Sequence, residues 1–513
     1  MKSCTIRRRF WTAEAAGAAV TVDLEPGFGT PQACLIFYTE NSLPVAIGDT
    51  TLASRNIGIG MVGPADSRVS STLIYRTCTG TMTDNVSPAS VRRQDSNSRY
   101  IVAQNAGGTI FWQFATASFS ADKATFTPSA STPQTNGHIE AIMTFFTGTG
   151  FSVGIGNSSF SPTAGGTRVF SGLSWQPDVV FVASTINVLN AGSTDDFRFS
   201  FGCATRSPLK QKGIYLHQEN SAAGATALMG AVSSSTIMIP YSTVAGATVN
   251  THTISNINAT GWTFTSSDAA GGSNGSYIYM AMSTGNPADF ALVDILTPAA
   301  SGDQFTGLGS SGFIPKTVLG AQTNCPTDNT REQQRPNADS ISLFSGNRGG
   351  QTLYWNGTGT ISTSTGSSVI TGTNTEFYRF APGDTIYSGF GITLGIVSTV
   401  ESKTSMTMQS NVLSTLSNIS YEYANLGQYS IGMGTSTGGN PMNVFSFNSR
   451  TLLNIYQGFN NIQARAQEVG RLTDFDSRPG FNLNFTLVSG TPKRGWALAI
   501  ADENKRRRRG SGS

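Results

Sequence analysis

Apolar and polar residues alternate along this chain in short runs, cut repeatedly by Gly, Pro, Asn and Asp. That pattern predicts β-strands joined by turns rather than helices. The stretch "GLSWQPDVVFVAS", residues 172–184, reads as a turn, a proline that sets the entry of the chain, and an apolar strand. Similar stretches stand at 27–39, "GFGTPQACLIFYT", and at 312–322, "GFIPKTVLGAQ". Self-similarity in a fixed order is the mark of a repeat architecture.

Three further blocks follow each of these stretches. The second block, "NIGIGMVG" (56–63), "FRFSFGCA" (197–204) and "YSIGMGTS" (429–436), shows period-two alternation with glycine, as expected for closely packed strands. The third is a polar turn feeding a strand: "FSADKATFTPS" (119–129), "INATGWTFTSS" (257–267) and "FDSRPGFNLNFT" (475–486). Phe126, Trp262 with Phe264, and Phe481 with Leu483 fall on one face of it. The last block is a short strand, "HIEAIMTF" (138–145), "SYIYMAMS" (276–283) and "RGWALAIA" (494–501).

The first and second blocks lie close together in the first two copies, Phe28 to Ile59 and Trp175 to Phe201, but far apart in the third, Phe313 to Ile431. An insertion therefore belongs between them. Residues 351–426 supply it, with short strands separated by Gly, Asn and Asp turns such as "APGD" (381–384). The expected fold is all-β: three tandem related β-sandwich domains, jelly-roll-like, over 1–150, 151–288, and 289–350 with 427–503. A small antiparallel β-barrel at 351–426 is inserted in the third, and a basic flexible tail occupies 504–513. The aromatic before each proline, Phe28, Trp175 and Phe313, is expected to anchor a core.

Composition agrees with this picture. Gly at 57 of 513 residues and only 12% charged residues fit turns and short strands, while 38% hydrophobic residues supply buried faces throughout. The net charge of +3 rests on Lys505, Arg506, Arg507, Arg508 and Arg509, so the body of the chain is not basic. No run of about 18 apolar residues is present, and Glu14 interrupts the N-terminal stretch, so neither a membrane span nor a signal peptide is expected. Five scattered cysteines without CxxC pairs read as reduced, partly buried thiols.

Candidate chemistry is sparse. His138, His217 and His252 have no Cys, Asp or Glu at metal-ligand spacing and read as surface or hydrogen-bonded histidines. No G-x-S-x-G elbow on a strand-to-helix turn is expected, and no phosphate loop with its lysine occurs. Carboxylate pairs that a glycosidase needs are Asp195 with Asp196, Asp474 with Asp476, and Glu376 with Asp384, all reading as solvated turns. No catalytic residue, metal ligand or cofactor is expected. Arg7 to Arg9 and the C-terminal basic run offer charge to an acidic neighbour, but without interleaved aromatics a nucleic-acid role is disfavoured.

The insertion, with "GTGTISTSTGSSVITGTNTEF" followed by "PGDTI" and "TSMTM", resembles a small β-module found repeatedly in structural proteins of tailed bacteriophages. The frame, "GLSWQPDVVFV" with "FRFSFG" and "GWTFTSS", resembles β-sandwich domains of virion proteins from environmental phages. The resemblance implies a non-enzymatic structural protein of the virion, part of the tail, neck or fibre apparatus or a head decoration. Its partners would be other virion proteins and further copies of itself, with a threefold or other cyclic assembly expected. Assembly would take place in the host cytoplasm, with no membrane partner. The alternative is a host-recognition module that binds a surface glycan or receptor. Tyr354, Trp355 and Tyr378 are then the candidate contacts, and Lys505 to Arg509 the candidate tail contacts.

Overall fold

Strand follows strand from Lys2 to Ala501, and nearly every pairing is antiparallel. The computed structural model describes residues 1–501 apart from 12–16, 26, 43–53, 84–90, 96–98, 105–108, 132–136, 161–164, 186–191, 194–196, 219–227, 239–250, 268–274, 310–311, 326–330, 334–339, 348–352, 358, 376, 378–379, 381–384, 390–391, 426, 438–442, 450–452, 460–462 and 475–478. Among the described residues there is no α-helix, and Pro287–Asp289 forms a single 3-10 turn.

Three large sheets share one strand order. The first runs Lys2–Trp11, Gly137–Thr147, Ala33–Ser42, Ser54–Pro64, Leu73–Thr83. The second runs Ser152–Ser159, Ser276–Ser283, Val179–Ser184, Phe197–Arg206, Leu209–Gln218. The third runs Phe290–Leu296, Arg494–Ala501, Pro315–Thr323, Ser340–Asn347, Gln428–Thr437. Each therefore places the opening strand of a repeat beside its closing strand. Register repeats as well: the rows Thr5, Thr144, Leu35, Met61 and Ile155, Met280, Phe181, Cys203 match Leu292, Leu498, Leu319, Ser345.

This order corrects one alignment made from sequence. The strand equivalent to 56–63 and 197–204 in the third repeat is Ser340–Asn347, whereas 429–436 lies one strand further out. Adjacent antiparallel strands facing one core carry the same alternation, so periodicity does not separate them. The insertion consequently falls inside the hairpin between the fourth and fifth strands of the sheet, where Asn347 donates its N–H to the Gly427 carbonyl at 2.8 Å.

A small layer faces each large sheet, giving a sandwich-like cross-section. It is built from Val20–Asp23, Lys123–Ser131 and Ile110–Ser120 in the first repeat and from Thr167–Phe170, Gly261–Ser266 and His252–Asn258 in the second. In the third, Gly302–Gly307, Gly480–Leu487 and Gln463–Asp474 take these places. Phe126 and Phe145, Trp262 and Phe264, and Phe481 and Leu483 fill the respective spaces between layers. Phe28 and Trp175 are buried in the first two of these cores, while Phe313 packs half-buried against the third.

The opposite faces of the three large sheets meet in one hydrophobic cluster. Leu35, Phe37 and Ile59 from the first repeat join Phe181, Phe201 and Ile214 from the second and Leu319, Ile431 and Trp496 from the third. Phe201 lies at the junction, with ring centroids 5.4 Å from Phe37 and 5.1 Å from Trp496. Burial of each such side chain contributes about 1.5–3 kcal/mol.

Contacts around this centre are cyclic. The opening strand of the second repeat packs on the fourth and fifth strands of the first, and the opening strand of the third packs likewise on the second. The opening strand of the first repeat closes onto the third: Ser3 Oγ lies 2.7 Å from Thr317 Oγ1, and Thr5 Oγ1 lies 2.8 Å from Ser345 Oγ.

The insertion pairs in the order Leu353–Asn356, Tyr421–Asn425, Thr385–Ser388, Thr393–Ser402, Ser405–Met408, Val369–Thr373, Thr360–Thr363, Leu416–Ile419. Only Ser420 separates the last of these from Tyr421–Asn425, so the chain passes directly from the far end of this order to its second strand. Ile361, Ile370, Phe377, Ile386, Val397 and Met406 fill its interior.

Candidate functional site

Because the three repeats close in a ring, each hairpin between fourth and fifth strands sits at a seam beside the next repeat. The three hairpins differ greatly in length. In the first repeat the connection is 65–72, in the second it is Ser207 and Pro208 alone, and in the third it is 348–427 with the insertion.

The 65–72 loop covers the first seam. Ser67 donates its N–H to the Val153 carbonyl and accepts the Val153 N–H on Oγ, both at 2.9 Å. The Asp66 carboxylate accepts the Ser174 N–H at 2.6 Å, the Trp175 indole N–H at 2.9 Å and the Arg68 N–H at 2.9 Å. Burial alone would raise the Asp66 carboxyl, but these hydrogen bonds outweigh it and hold the group below the usual carboxylate range.

The two-residue turn leaves the second seam open. A groove of about 660 Å³ lies there, with Leu209, Lys210 and Lys212 on one wall and Asp294, Gln304 and Phe305 on the other. A smaller hollow of about 210 Å³ continues it past Pro208 and Phe290. Lys212, nearly buried, crosses the seam to Asp294 with Nζ 2.6 Å from Oδ1. Leu209, Leu296 and Phe305 are 43%, 39% and 37% exposed, unusual values for large apolar side chains gathered in one place. Gln304 Oε1 is buried without a hydrogen-bond partner, and Lys210 is exposed with no carboxylate bound to it among the described residues. Both Phe290–Leu296 and Gly302–Gly307 are the last strands of their sheet, so the groove is bordered by sheet edges.

The sequence drew attention elsewhere. Tyr354 and Trp355 lie on the strand Leu353–Asn356, paired with Ala424 and Tyr423; their side chains lie outside the described residues, as do Tyr378 and Lys505 to Arg509. Of the carboxylate pairs, Asp195, Asp196, Glu376, Asp384 and Asp476 and the side chain of Asp474 also lie outside them. Two other expectations are corrected. All three histidines are buried, so the surface alternative falls, while the hydrogen-bonded one holds for His252, whose Nδ1 lies 2.9 Å from Ser266 Oγ and whose ring stacks on Phe160 with centroids 3.9 Å apart; His138 Nε2 lies 3.4 Å from Glu140 Oε1. Arg7 and Arg8 are buried too, Arg7 holding Glu140 through two contacts of 2.8 Å, so neither is offered to an acidic neighbour, while the Arg9 side chain lies outside the described residues. A buried arginine in a strand is legible only once its partner strand is known. Among the described residues no three His, Cys, Asp or Glu side chains gather as a metal ion needs, and no helix is long and apolar enough to cross a membrane.

The groove residues were missed because each looks ordinary in sequence. The available signal was hairpin length: "TRSPLK" turns in two residues where "GPADSRVSSTLI" takes eight.

No family model matches the chain, and no curated protein does. Among solved structures, a mutant of HCR/D is 7% identical, with 55% of this chain and 89% of that chain covered and a TM-score of 0.12. The botulinum neurotoxin serotype D ligand-binding domain, in complex with N-acetylneuraminic acid, is 6% identical over 55% and 88%, also with a TM-score of 0.12. At such scores neither carries an argument about fold or function.

Proposed function

We propose that this chain is a non-enzymatic structural protein of a tailed bacteriophage virion, an exterior component of the tail, neck or fibre apparatus or a head decoration, working through protein–protein packing. In this reading the three repeats are related β-sandwich domains and the insertion is a small closed β-barrel. The observation that carries it is the cyclic closure of three repeats on one shared core, which makes a rigid, pseudo-threefold body from one chain. Such a body suits a place among symmetric assemblies, where closed arrangements of repeated surfaces are the rule. Low charge suits packed contacts that desolvate few ions.

Copies and other virion proteins would then meet through the outer surfaces, since the inner ones are already used. Cryo-electron microscopy of purified particles tests this reading. The chain should fit as one three-lobed body at a repeated exterior position; particles that lack it by mass spectrometry would count against it. A host-recognition role is the second reading, and the exposed Phe305 and Lys210 at the open seam are what favour it. Loss of adsorption with intact assembly in a Phe305→Ala virion would support that role instead.

A further inference from the structure

We propose that the open seam between the second and third repeats is a docking groove for an extended polypeptide segment of a partner protein.

Pairing register makes Leu292 the counterpart of Ile155, and hence Phe290 the counterpart of Val153. At the first seam, Val153 is covered by the chain's own loop through Ser67. At the third, the matching hairpin carries the insertion. Beside Phe290 the Ser207–Pro208 turn is too short to supply such a loop, and the Phe290 N–H turns back instead to the Pro287 carbonyl. Where the chain does cover such a seam, in the first repeat, the cover is a loop of polypeptide.

Groove chemistry specifies the segment. Gln304 Oε1 is a buried acceptor without a partner, which costs free energy until a donor such as a backbone N–H reaches it. Lys210 supplies a cation for a carboxylate, while Lys212 is already neutralised by Asp294. Leu209, Leu296 and Phe305 offer apolar surface for one or two aliphatic side chains. The fitting occupant is a segment that carries one acidic residue and one or two aliphatic ones, laid in extended form along the edge strand Gly302–Gly307.

The probe is a fluorescein-labelled peptide of this chain's residues 64–73, "PADSRVSSTL", which covers the first seam and carries one carboxylate and two aliphatic side chains. Anisotropy with the purified full chain should show saturable binding that a scrambled peptide lacks. Phe305→Ala and Lys210→Glu should each weaken it tenfold or more, with unchanged circular dichroism and melting temperature. Grafting residues 65–72 in place of Ser207 and Pro208 should abolish binding by filling the groove from within. No saturable binding, binding equal to that of the scrambled peptide, or indifference to both substitutions would overturn the proposal. So would Phe305-dependent binding of a hexagalacturonate or a dextran hexamer without peptide binding, which assigns the groove to sugar. None of these outcomes depends on whether the chain is found in a virion.

Discussion

Trp175 donates its indole N–H to Asp66 Oδ1 at 2.9 Å, across the boundary between the first and second repeats. The tryptophan is buried in the core of the second repeat, so one side chain serves a core and a seam together. Replacing Trp175 with Ala should cost about 3–5 kcal/mol, as truncations of buried aromatics do. Asp66→Ala should cost about 1–3 kcal/mol, because the Trp175 and Ser174 donors lose their acceptor. Denaturant unfolding of the two single variants and the double variant should give a coupling of at least about 0.5 kcal/mol. Additive effects would show that the bond does not tie the repeats.

Glycine marks a second shared feature. A Cβ on Gly60 would lie 1.9 Å from the Tyr100 carbonyl oxygen, and one on Gly202 would lie 1.7 Å from that of Ile237. These residues are counterparts, opposite Ile36 and Val182 in their sheets. In the third repeat the glycine has moved across the ladder, Gly320 standing opposite Phe344. Gly60→Ala and Gly202→Ala should each destabilise by at least about 1–3 kcal/mol, since a backbone carbonyl must shift. Thermal melts check this, and a wild-type melting temperature for either would refute the close approach.

Burial lowers the His252 imidazole from its ordinary value to about 3, and its Nδ1 lies 2.9 Å from Ser266 Oγ. In the unfolded chain the group binds a proton below about pH 6.5. Between these values the unfolded state holds more protons, so stability should fall as pH drops from about 6.5 towards 3. His252→Gln should flatten that part of the stability profile, measured by denaturant midpoints across pH. A slope identical to wild type would mean that His252 is not kept neutral by the fold.

All five cysteines are buried, and none of them forms a disulfide. Burial pushes the Cys4 thiol up to about 12, with the Glu25 carboxylate adding to the effect, and raises Cys34, Cys78 and Cys203 strongly. Thiolate is the reactive form, so Ellman's reagent should label none of them in the native protein and all five in denaturant. Rapid native labelling of even one thiol would contradict its placement.

Legibility in the sequence followed the length scale of each feature. Strands such as Val179–Ser184 and Ser276–Ser283 were readable because apolar runs bounded by turns are local signals. The opening strands Lys2–Trp11, Ser152–Ser159 and Phe290–Leu296 were overlooked as repeat elements, since "SCTIRRRF", "SVGIGNSS" and "FALVDIL" share no residue pattern. They are related only by the row of partners each one faces. The shared central core was likewise invisible, because Phe37, Phe201 and Trp496 belong to different repeats and their meeting is set by packing between sheets. Arg7 was misread for the same reason: its carboxylate, Glu140, lies on the closing strand. The open seam is defined by what its hairpin lacks, a property that no motif displays.

Closure of the ring is the central claim, and the contact between Ser3 and Thr317 tests it most directly. Their hydroxyl oxygens lie 2.7 Å apart, although 314 positions separate them in the chain. A Ser3→Cys, Thr317→Cys double variant should therefore form an intramolecular disulfide on mild oxidation, since its sulfurs replace atoms already in contact. Non-reducing electrophoresis should show a monomer of altered mobility, and peptide mapping should recover the cross-link between the first and third repeats. Failure to cross-link in the folded chain, or formation only of disulfide-linked dimers, would contradict the closed arrangement.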